Sequence, residues 1–211
     1  MPKSFVDHYQ KQWTDAHPDF VFKMWCEDNL SAEDFINKEI ILDKTLNPGL
    51  RADALRLELL YKYGGIYIDI DMALVKPIHS FLQSFKTDFF ISTSNTPGAF
   101  EVNNAIIGCI PQHPLIKHLI AKLRDSFKSK VDSNSKSRKL LELMAAYDPS
   151  INLSEFSFQN IDVIETSGPG FITRELFSYL ASNNQQPNQI LITPKHFFYP
   201  LSNDLRDKIT P

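Results

Sequence analysis

The chain has 211 residues, of which 43% are hydrophobic, 12% aromatic and 22% charged. This composition is typical of one globular domain with a sizeable core, and it excludes an intrinsically disordered chain, which has few aromatic residues and a high net charge. The formal charge of −3 and the isoelectric point near 6.1 provide no overall positive field, which argues against nucleic acid and other polyanions as partners.

Two cysteines, Cys26 and Cys109, are too few for a disulfide scaffold, and neither has the spacing of a zinc ligand. No apolar run approaches the length of a membrane-spanning helix, so we expect no transmembrane segment and a soluble chain. These observations leave the compartment open, either the cytoplasm or export.

The first part of the chain predicts helices that alternate with strands. Aromatic residues at helical spacing predict a first helix with a core-facing stripe of Phe5, Tyr9 and Trp13. A short aromatic segment at 19–25 predicts a strand, and Ser31 followed by Asp34 resembles a capping box at the start of a helix. The clearest helix covers 51–63 and ends at two glycines, after which 66–71 alternates as a strand does.

The same alternation continues to the end of the chain. Strands are predicted at 88–93, 104–109, 161–166 and 189–193. Helices are predicted from Pro114 onward, at 139–147 and at 171–181, and loops are predicted at 128–139 and 167–170. This order predicts an α/β fold with a mostly parallel central sheet flanked by helices. Ligands of such sheets bind beyond the carboxyl ends of the strands.

Two carboxylates stand on the strand predicted at 66–71. In an extended strand, Tyr67, Asp69 and Asp71 share one face, which puts the carboxylates about 7 Å apart. At an effective dielectric of 20 they repel by roughly 2 kcal/mol, and no Lys or Arg lies within two positions. A divalent cation such as Mn²⁺ or Mg²⁺ would relieve this repulsion, and these ions complete their shells with substrate phosphates.

Asp53 and Arg56 lie one turn apart on the preceding helix, away from the face that Leu55 and Leu59 give to the core. Taken alone, the pair is typical of an ordinary surface ion pair. Because the helix ends directly before the carboxylate strand, the pair can also reach the same region and bind a sugar hydroxyl there.

The segment at 51–78, RADALRLELLYKYGGIYIDIDMALVKPI, resembles the DXD sugar-transfer region of glycosyltransferase family 32. The same pattern is shared with yeast-type α-mannosyltransferases, α-1,4-galactosyltransferases and large glucosylating bacterial toxins. The residues that carry the resemblance are Arg51, Asp53, Arg56, Tyr61, Gly64, Gly65, Tyr67, Asp69 and Asp71. Weaker similarity extends to 13–30, to Asn104 within 103–114, and to the Ser-Gly-Pro-Gly segment at 167–170.

The resemblance implies a GT-A type fold and a metal-dependent hexosyl transfer, with retention of configuration, from a UDP- or GDP-sugar to a glycan, lipid or protein acceptor. It implies Asp69 and Asp71 as the catalytic residues and ligands of Mn²⁺ or Mg²⁺, with Asp71 the direct ligand. It further implies a donor site formed by Asp53, Arg56, Tyr67, Gly64, Gly65, Asn104, Gly168 and Pro169.

Two departures from the family pattern affect the expected extent of the domain. The chain begins about one strand late and stops soon after Phe198-Tyr199-Pro200, so we expect a single catalytic domain over 1–211 that lacks the first strand and the C-terminal tail. Two alternatives remain open: a non-catalytic module that binds sugar nucleotides, and a phosphohydrolase of the haloacid dehalogenase type. The second would use the first aspartate as nucleophile, but it leaves Asp53, Arg56 and the glycine pair unexplained.

Overall fold

A computed structural model describes residues 3–30, 34–94, 100–129, 146, 163–182 and 189–200. The helices of these residues are α1 (Lys3–Ala16), α2 (Glu27–Leu30), α3 (Lys38–Ile41), α4 (Pro48–Tyr63), α5 (His79–Ser84), α6 (Pro114–Ser129) and α7 (Pro169–Ser182). The strands are β1 (Gly65–Ile68), β2 (Phe89–Thr93), β3 (Val102–Cys109) and β4 (Ile190–Thr193), and a 3₁₀ turn covers Lys195–Phe197.

The described strands form one sheet in the order β1-β3-β2-β4. β3 pairs antiparallel with both β1 and β2, whereas β2 and β4 pair in parallel. The α/β class is therefore confirmed, but the sheet is only partly parallel, contrary to the expectation of a mostly parallel one. The short connection between β2 and β3 explains the difference, because a parallel pair needs a long crossover and an antiparallel pair does not.

Helix α4 contacts the helices α3 and α6 and the strands β1 and β3. It begins at Pro48, a residue suited to a first helical turn, where the side chain of Asn47 accepts a hydrogen bond from the backbone N–H of Gly49 at 2.8 Å. Its Leu57 and Leu60 lie in a core that also contains Ile107 of β3. The helix predicted at 51–63 is confirmed and starts a turn earlier.

The N-terminal predictions are only partly correct. Helix α1 is confirmed, and its Trp13 is buried as expected. The strand predicted at 19–25 is wrong, since the segment after His17 turns and then forms neither helix nor strand up to residue 26. Ser31 lies outside the described residues, and the helix expected after it begins only at Lys38.

The strands at 88–93, 104–109 and 189–193 and the helix from Pro114 are confirmed as β2, β3, β4 and α6. The strand predicted at 161–166 is wrong where it is described, because 163–166 forms a helical turn. The helix at 171–181 is confirmed and already begins at Pro169, within the expected loop. The loop at 128–139 and the helix at 139–147 lie almost wholly outside the described residues. No helix in the described ranges is long and apolar enough to span a membrane.

Candidate active site

Two glycines connect α4 to β1 and set the direction in which the chain leaves the helix. Gly64 has a φ of 64° and Gly65 a φ of 83°, which L-residues with a side chain rarely adopt. The backbone N–H of Gly64 donates to the carbonyl of Leu60 at 2.9 Å, and a Cβ on Gly64 would lie 2.6 Å from Pro111. The chain therefore reverses sharply, and the end of β1 comes to lie beside Arg56 of α4.

The two carboxylates of the DXD sequence lie on a turn after β1. The strand ends at Ile68, and the N–H of Met72 donates to the carbonyl of Asp69 at 3.1 Å. The expected strand through residue 71 is thus wrong at its end, and the common strand face expected for Asp69 and Asp71 does not exist. Helix α1 holds this turn in place, since the indole N–H of Trp13 donates to the carbonyl of Met72 at 2.7 Å.

Arg56 lies at the centre of a buried charge network. Its Nη2 contacts Asp53 Oδ1 at 3.0 Å, and its Nη1 lies 3.3 Å from Asp69 Oδ1 and donates to the carbonyl of Asn104. The guanidinium carbon lies 4.7 Å from the centre of the Tyr67 ring, a cation–π distance. The Arg56 side chain is 5% exposed, and its Nε has no hydrogen-bond partner among the described residues. The expected surface position of the Asp53–Arg56 pair is therefore wrong, because both side chains are buried.

Asp53 contacts Arg56 but does not line the cavity described below. Polar groups from distant parts of the chain donate hydrogen bonds to both of its carboxylate oxygens. The side-chain amide of Asn104 donates to Oδ1 at 2.8 Å, and the hydroxyl of Ser167 donates to Oδ2 at 2.7 Å. Burial raises the pKa of Asp53 above its ordinary value of 3.8, although Arg56 and both of these hydrogen bonds act in the opposite direction. The network compensates the buried charge and fixes its orientation.

An irregularity in β3 supplies backbone groups to this network. Ile91 of β2 pairs with Ile107, but the next residue pairs with Asn103, so the intervening residues of β3 have no partner on β2. The freed carbonyl of Asn104 accepts from Arg56, and the freed N–H of Ile106 donates to the hydroxyl of Tyr199 at 3.0 Å. A β-bulge in this inner strand therefore leaves backbone groups available for contacts at the site.

Asp69 is a charged member of the network that is partly open to solvent. Its side chain is 29% exposed, and it accepts a hydrogen bond from the hydroxyl of Tyr67. Burial raises the pKa of Asp69 above 3.8 and outweighs the opposing effect of Arg56, while the nearby Asp71 adds to the rise. Burial also raises the pKa of Tyr67 and Tyr199, which keeps both phenols protonated and able to donate.

A cavity of about 1230 Å³ opens beside the network. At one end it is lined by polar or glycine positions that the sequence assigned to the site: Arg56, Gly64, Gly65, Tyr67, Asp69 and Asp71. The other walls are mainly apolar and include Trp13, Phe22 and Trp25. This volume exceeds the several hundred Å³ that small-molecule sites commonly have, so a sugar nucleotide would fit.

The remaining predicted donor residues do not line this cavity. Asp53 and Asn104 lie behind Arg56 and contact it directly. Gly168 and Pro169 form the junction between the helical turn at 163–166 and α7, next to Ser167. Their assignment to donor binding stays a prediction, and the described contacts favour a supporting position.

A divalent ion needs oxygen ligands, and the described residues offer a small set. No group of three His, Cys, Asp or Glu side chains in the described ranges is arranged to hold a metal. Asp69 and Asp71 both face the cavity, however, and Mg²⁺-like ions often use one or two carboxylates and take their other ligands from water and phosphate. The residues therefore fit an ion that binds together with a diphosphate.

Residues 4–88 match the family model described as the glycosyltransferase sugar-binding region containing the DXD motif. This stretch is therefore similar to the sugar-binding region of these glycosyltransferases. The family resemblance predicted from the sequence is confirmed, and the matched range includes Asp69 and Asp71, which line the cavity. The DXD region includes α1, α4 and β1 and ends just before β2.

Curated relatives of the DXD region are glycosyltransferases. Over 129 residues the chain is 32% identical to the mannosyl phosphorylinositol ceramide synthase CSH1 of Saccharomyces cerevisiae, covering 59% of this chain and 32% of that protein. It is 27% identical over 85 residues to the human alpha-1,4-N-acetylglucosaminyltransferase, covering 40% of this chain and 22% of the relative. The chain thus spans a third or less of the length of these relatives.

A structural similarity is found to the UDP-bound glycosyltransferase domain from the YGT toxin. It covers 68% of this chain and 44% of that domain, with a TM-score of 0.41 and 12% sequence identity.

Three residues at the site were not assigned to it from the sequence. Ser167 was noted only within the Ser-Gly-Pro-Gly segment, yet its hydroxyl contacts Asp53. Tyr199 stands within Phe198-Tyr199-Pro200, and Trp13 stands both on the core-facing stripe of α1 and at the start of the family-like stretch at 13–30. For all three residues the family-like sequence around them is the available signal. Helical spacing alone does not distinguish an indole that packs in the core from one that also donates to a turn.

Proposed function

We propose that the protein is a metal-dependent glycosyltransferase of the GT-A type that transfers a hexosyl group from a UDP- or GDP-sugar with retention. The observation that carries the proposal is the position of Asp69 and Asp71 on a cavity wall beside a buried arginine. The family of the DXD region supports it.

In this proposal, the chain's own residues bind and orient the donor. Asp71 and Asp69 would hold Mn²⁺ or Mg²⁺, which when bound supplies positive charge against the departing diphosphate. Arg56 lines the cavity and lies 3.3 Å from Asp69 Oδ1, so its charge would orient that carboxylate beside the donor. Tyr67 stacks on the guanidinium and limits its movement.

The reaction exchanges one C–O bond for another. The bond between the anomeric carbon and the diphosphate oxygen breaks with both electrons passing to that oxygen, and a bond to the acceptor oxygen forms. The acceptor's proton passes to the released nucleoside diphosphate, so the proposal assigns no protein side chain as a nucleophile. The acceptor class is a glycan, a lipid or a protein; the name of the yeast relative describes that protein as a synthase of mannosyl phosphorylinositol ceramide.

A panel of nucleotide sugars tests the proposal. We expect Mn²⁺-dependent hydrolysis of one UDP- or GDP-sugar, lost in Asp71→Asn and retained in the control Asp15→Asn, which alters an exposed aspartate on α1. The matching nucleoside diphosphate with Mn²⁺, at 100 times its dissociation constant, would stabilise the fold by about 2.7 kcal/mol.

The possible outcomes separate the alternatives. Binding of the nucleotide without turnover would favour the non-catalytic module. Hydrolysis of phosphate esters would favour the haloacid dehalogenase type of phosphohydrolase. Full activity of Asp71→Asn would contradict its role as a metal ligand.

A further inference from the structure

Ser167 reaches the site from a distant part of the chain. It follows the helical turn at 163–166 and precedes α7, and its side chain is fully buried. Its hydroxyl donates to Asp53 Oδ2 at 2.7 Å and lies 3.2 Å from the carbonyl of Val163. The contact to Asp53 is the shorter one, as is usual for a hydrogen bond to a carboxylate.

The Asp53 carboxylate is oriented through both of its oxygens. Oδ1 receives Arg56 Nη2 at 3.0 Å and Asn104 Nδ2 at 2.8 Å, and Oδ2 receives the Ser167 hydroxyl. If the Ser167 hydroxyl were absent, Oδ2 would lose this donor and the carboxylate would be freer to rotate about its terminal bond. Rotation would move Oδ1 away from Arg56.

Arg56 transmits this orientation to the cavity. The same guanidinium that pairs with Asp53 lies 3.3 Å from Asp69 Oδ1, and Asp69 faces the cavity. The contacts therefore form one chain from Ser167 through Asp53 and Arg56 to Asp69. Ser167 itself does not line the cavity, which distinguishes it from residues that could touch a ligand.

We propose that Ser167 is a positioning residue of the site: its hydroxyl orients Asp53, which fixes Arg56, which aligns Asp69 at the cavity. The inference rests on the proposed function for its catalytic consequence, but its structural part can be tested without turnover. Loss of one hydrogen bond to a charged group corresponds to a change on the order of tenfold. We expect a loss of this size in kcat/KM for donor hydrolysis by Ser167→Ala.

The experiment uses three variants of the full chain. Ser167→Ala removes the hydroxyl, Ser167→Thr keeps it, and Ser92→Ala removes the hydroxyl of an equally buried serine of β2 that bonds the carbonyl of Thr193 at 3.3 Å. Side-chain NMR of the Arg56 Nε–H, assigned by its loss in Arg56→Lys, reports on the guanidinium. We expect faster exchange of this proton with water in Ser167→Ala, and wild-type exchange in the other two.

A double variant tests whether Ser167 acts through Asp53. In an Asp53→Asn background, Ser167→Ala should change the Arg56 signal and kcat/KM much less than it does in the wild type. An undiminished effect would overturn the proposed order of contacts. If Ser167→Ala does not fold, Ser167→Cys, which keeps the volume but donates weakly, takes its place.

An unchanged Arg56 signal in Ser167→Ala would overturn the inference, as would failure of Ser167→Thr to restore it. If the wild type hydrolyses no nucleotide sugar, the proposed function fails, but the Arg56 signal still decides the positioning role. Faster exchange of the Arg56 Nε–H in Ser167→Ala together with an unchanged kcat/KM would show that Ser167 has only a structural role. That outcome would refute its contribution to the reaction.

Discussion

Replacement of Arg56 by Met tests the charge network most directly. The substitution keeps the approximate length and apolar stem of the side chain but removes the cation that pairs with Asp53 and Asp69 at 3.0 and 3.3 Å. At an effective dielectric near 20, each contact has a Coulomb attraction of about 5 kcal/mol before desolvation is subtracted. Removing one partner of a buried pair typically costs about 3–5 kcal/mol, because the remaining charge is left uncompensated.

The free energy of unfolding, measured by urea denaturation at neutral pH, should therefore fall by about 3–5 kcal/mol in Arg56→Met. For a chain of this size the loss corresponds to roughly 10 °C in melting temperature. Arg174→Met is the matched control, since Arg174 also contacts two carboxylates, Glu165 and Glu175, but is 49% exposed. Exposed pairs contribute little, so the control should lose less than about 1 kcal/mol.

Equal losses in Arg56→Met and Arg174→Met would refute the reasoning, because burial would then have no effect on the strength of the contacts. A second check uses Asp53→Asn combined with Arg56→Met. If the loss arises from the uncompensated Asp53 carboxylate, the double variant should be more stable than Arg56→Met alone.

Three further predictions concern residues outside the charge network of Arg56. Gly108→Ala should lower the free energy of unfolding, measured with urea, by about 1–3 kcal/mol, because a Cβ there would lie 2.0 Å from the ring of Phe90. Adding Phe90→Leu to this variant should restore part of the loss, and an unchanged free energy of unfolding in Gly108→Ala would contradict the close packing. Burial raises the pKa of the Cys109 thiol from 9.0 to about 12. At pH 8 a thiol reagent should therefore modify the exposed Cys26 in the folded protein and Cys109 only after unfolding, and two reactive thiols in the folded protein would contradict this prediction. Burial also raises the pKa of Glu58 above 4.5, so the folded state binds the carboxyl proton of Glu58 more tightly than the unfolded state does. The contribution of this proton to folding stability is fully present below pH 4.5 and is lost as pH rises through the raised pKa. The stability of the wild type relative to Glu58→Gln, from urea unfolding, should accordingly be lower at pH 7 than at pH 4.5, and an increase would contradict the sign.

Local sequence patterns predicted the elements that local forces determine. The helix that became α4 and the glycines that end it follow from spacing and backbone conformation, and both are confirmed. The strands β2 and β3 follow from their apolar runs between turn residues. The segment at 19–25 is also rich in apolar residues but has no sheet partner among the described residues, and composition alone does not report whether a partner exists.

The sequence predicted which residues belong to the candidate site better than it predicted how they are arranged. The spacing of Asp53, Arg56, Asp69 and Asp71 indicated that they share a region, and contacts at 3.0 and 3.3 Å join the first three. Helical periodicity predicted that Asp53 and Arg56 lie on the surface. It contains no information about tertiary contacts such as those that Asn104 and Ser167 make with Asp53. Strand periodicity likewise extended β1 through residue 71, since the turn after Ile68 depends on contacts from α1.

The contacts of the network differ greatly in how far apart their partners lie along the chain, which has a consequence for the order of folding. Asp53 and Arg56 are three residues apart on one helix, whereas Asn104 and Ser167 lie 51 and 114 residues from Asp53. Closing a long loop costs more entropy than closing a short one, so contacts between near neighbours tend to form first. The ion pair should form with α4 and the Ser167 contact last, after α7 has docked, so the site would acquire its final geometry at the end of folding.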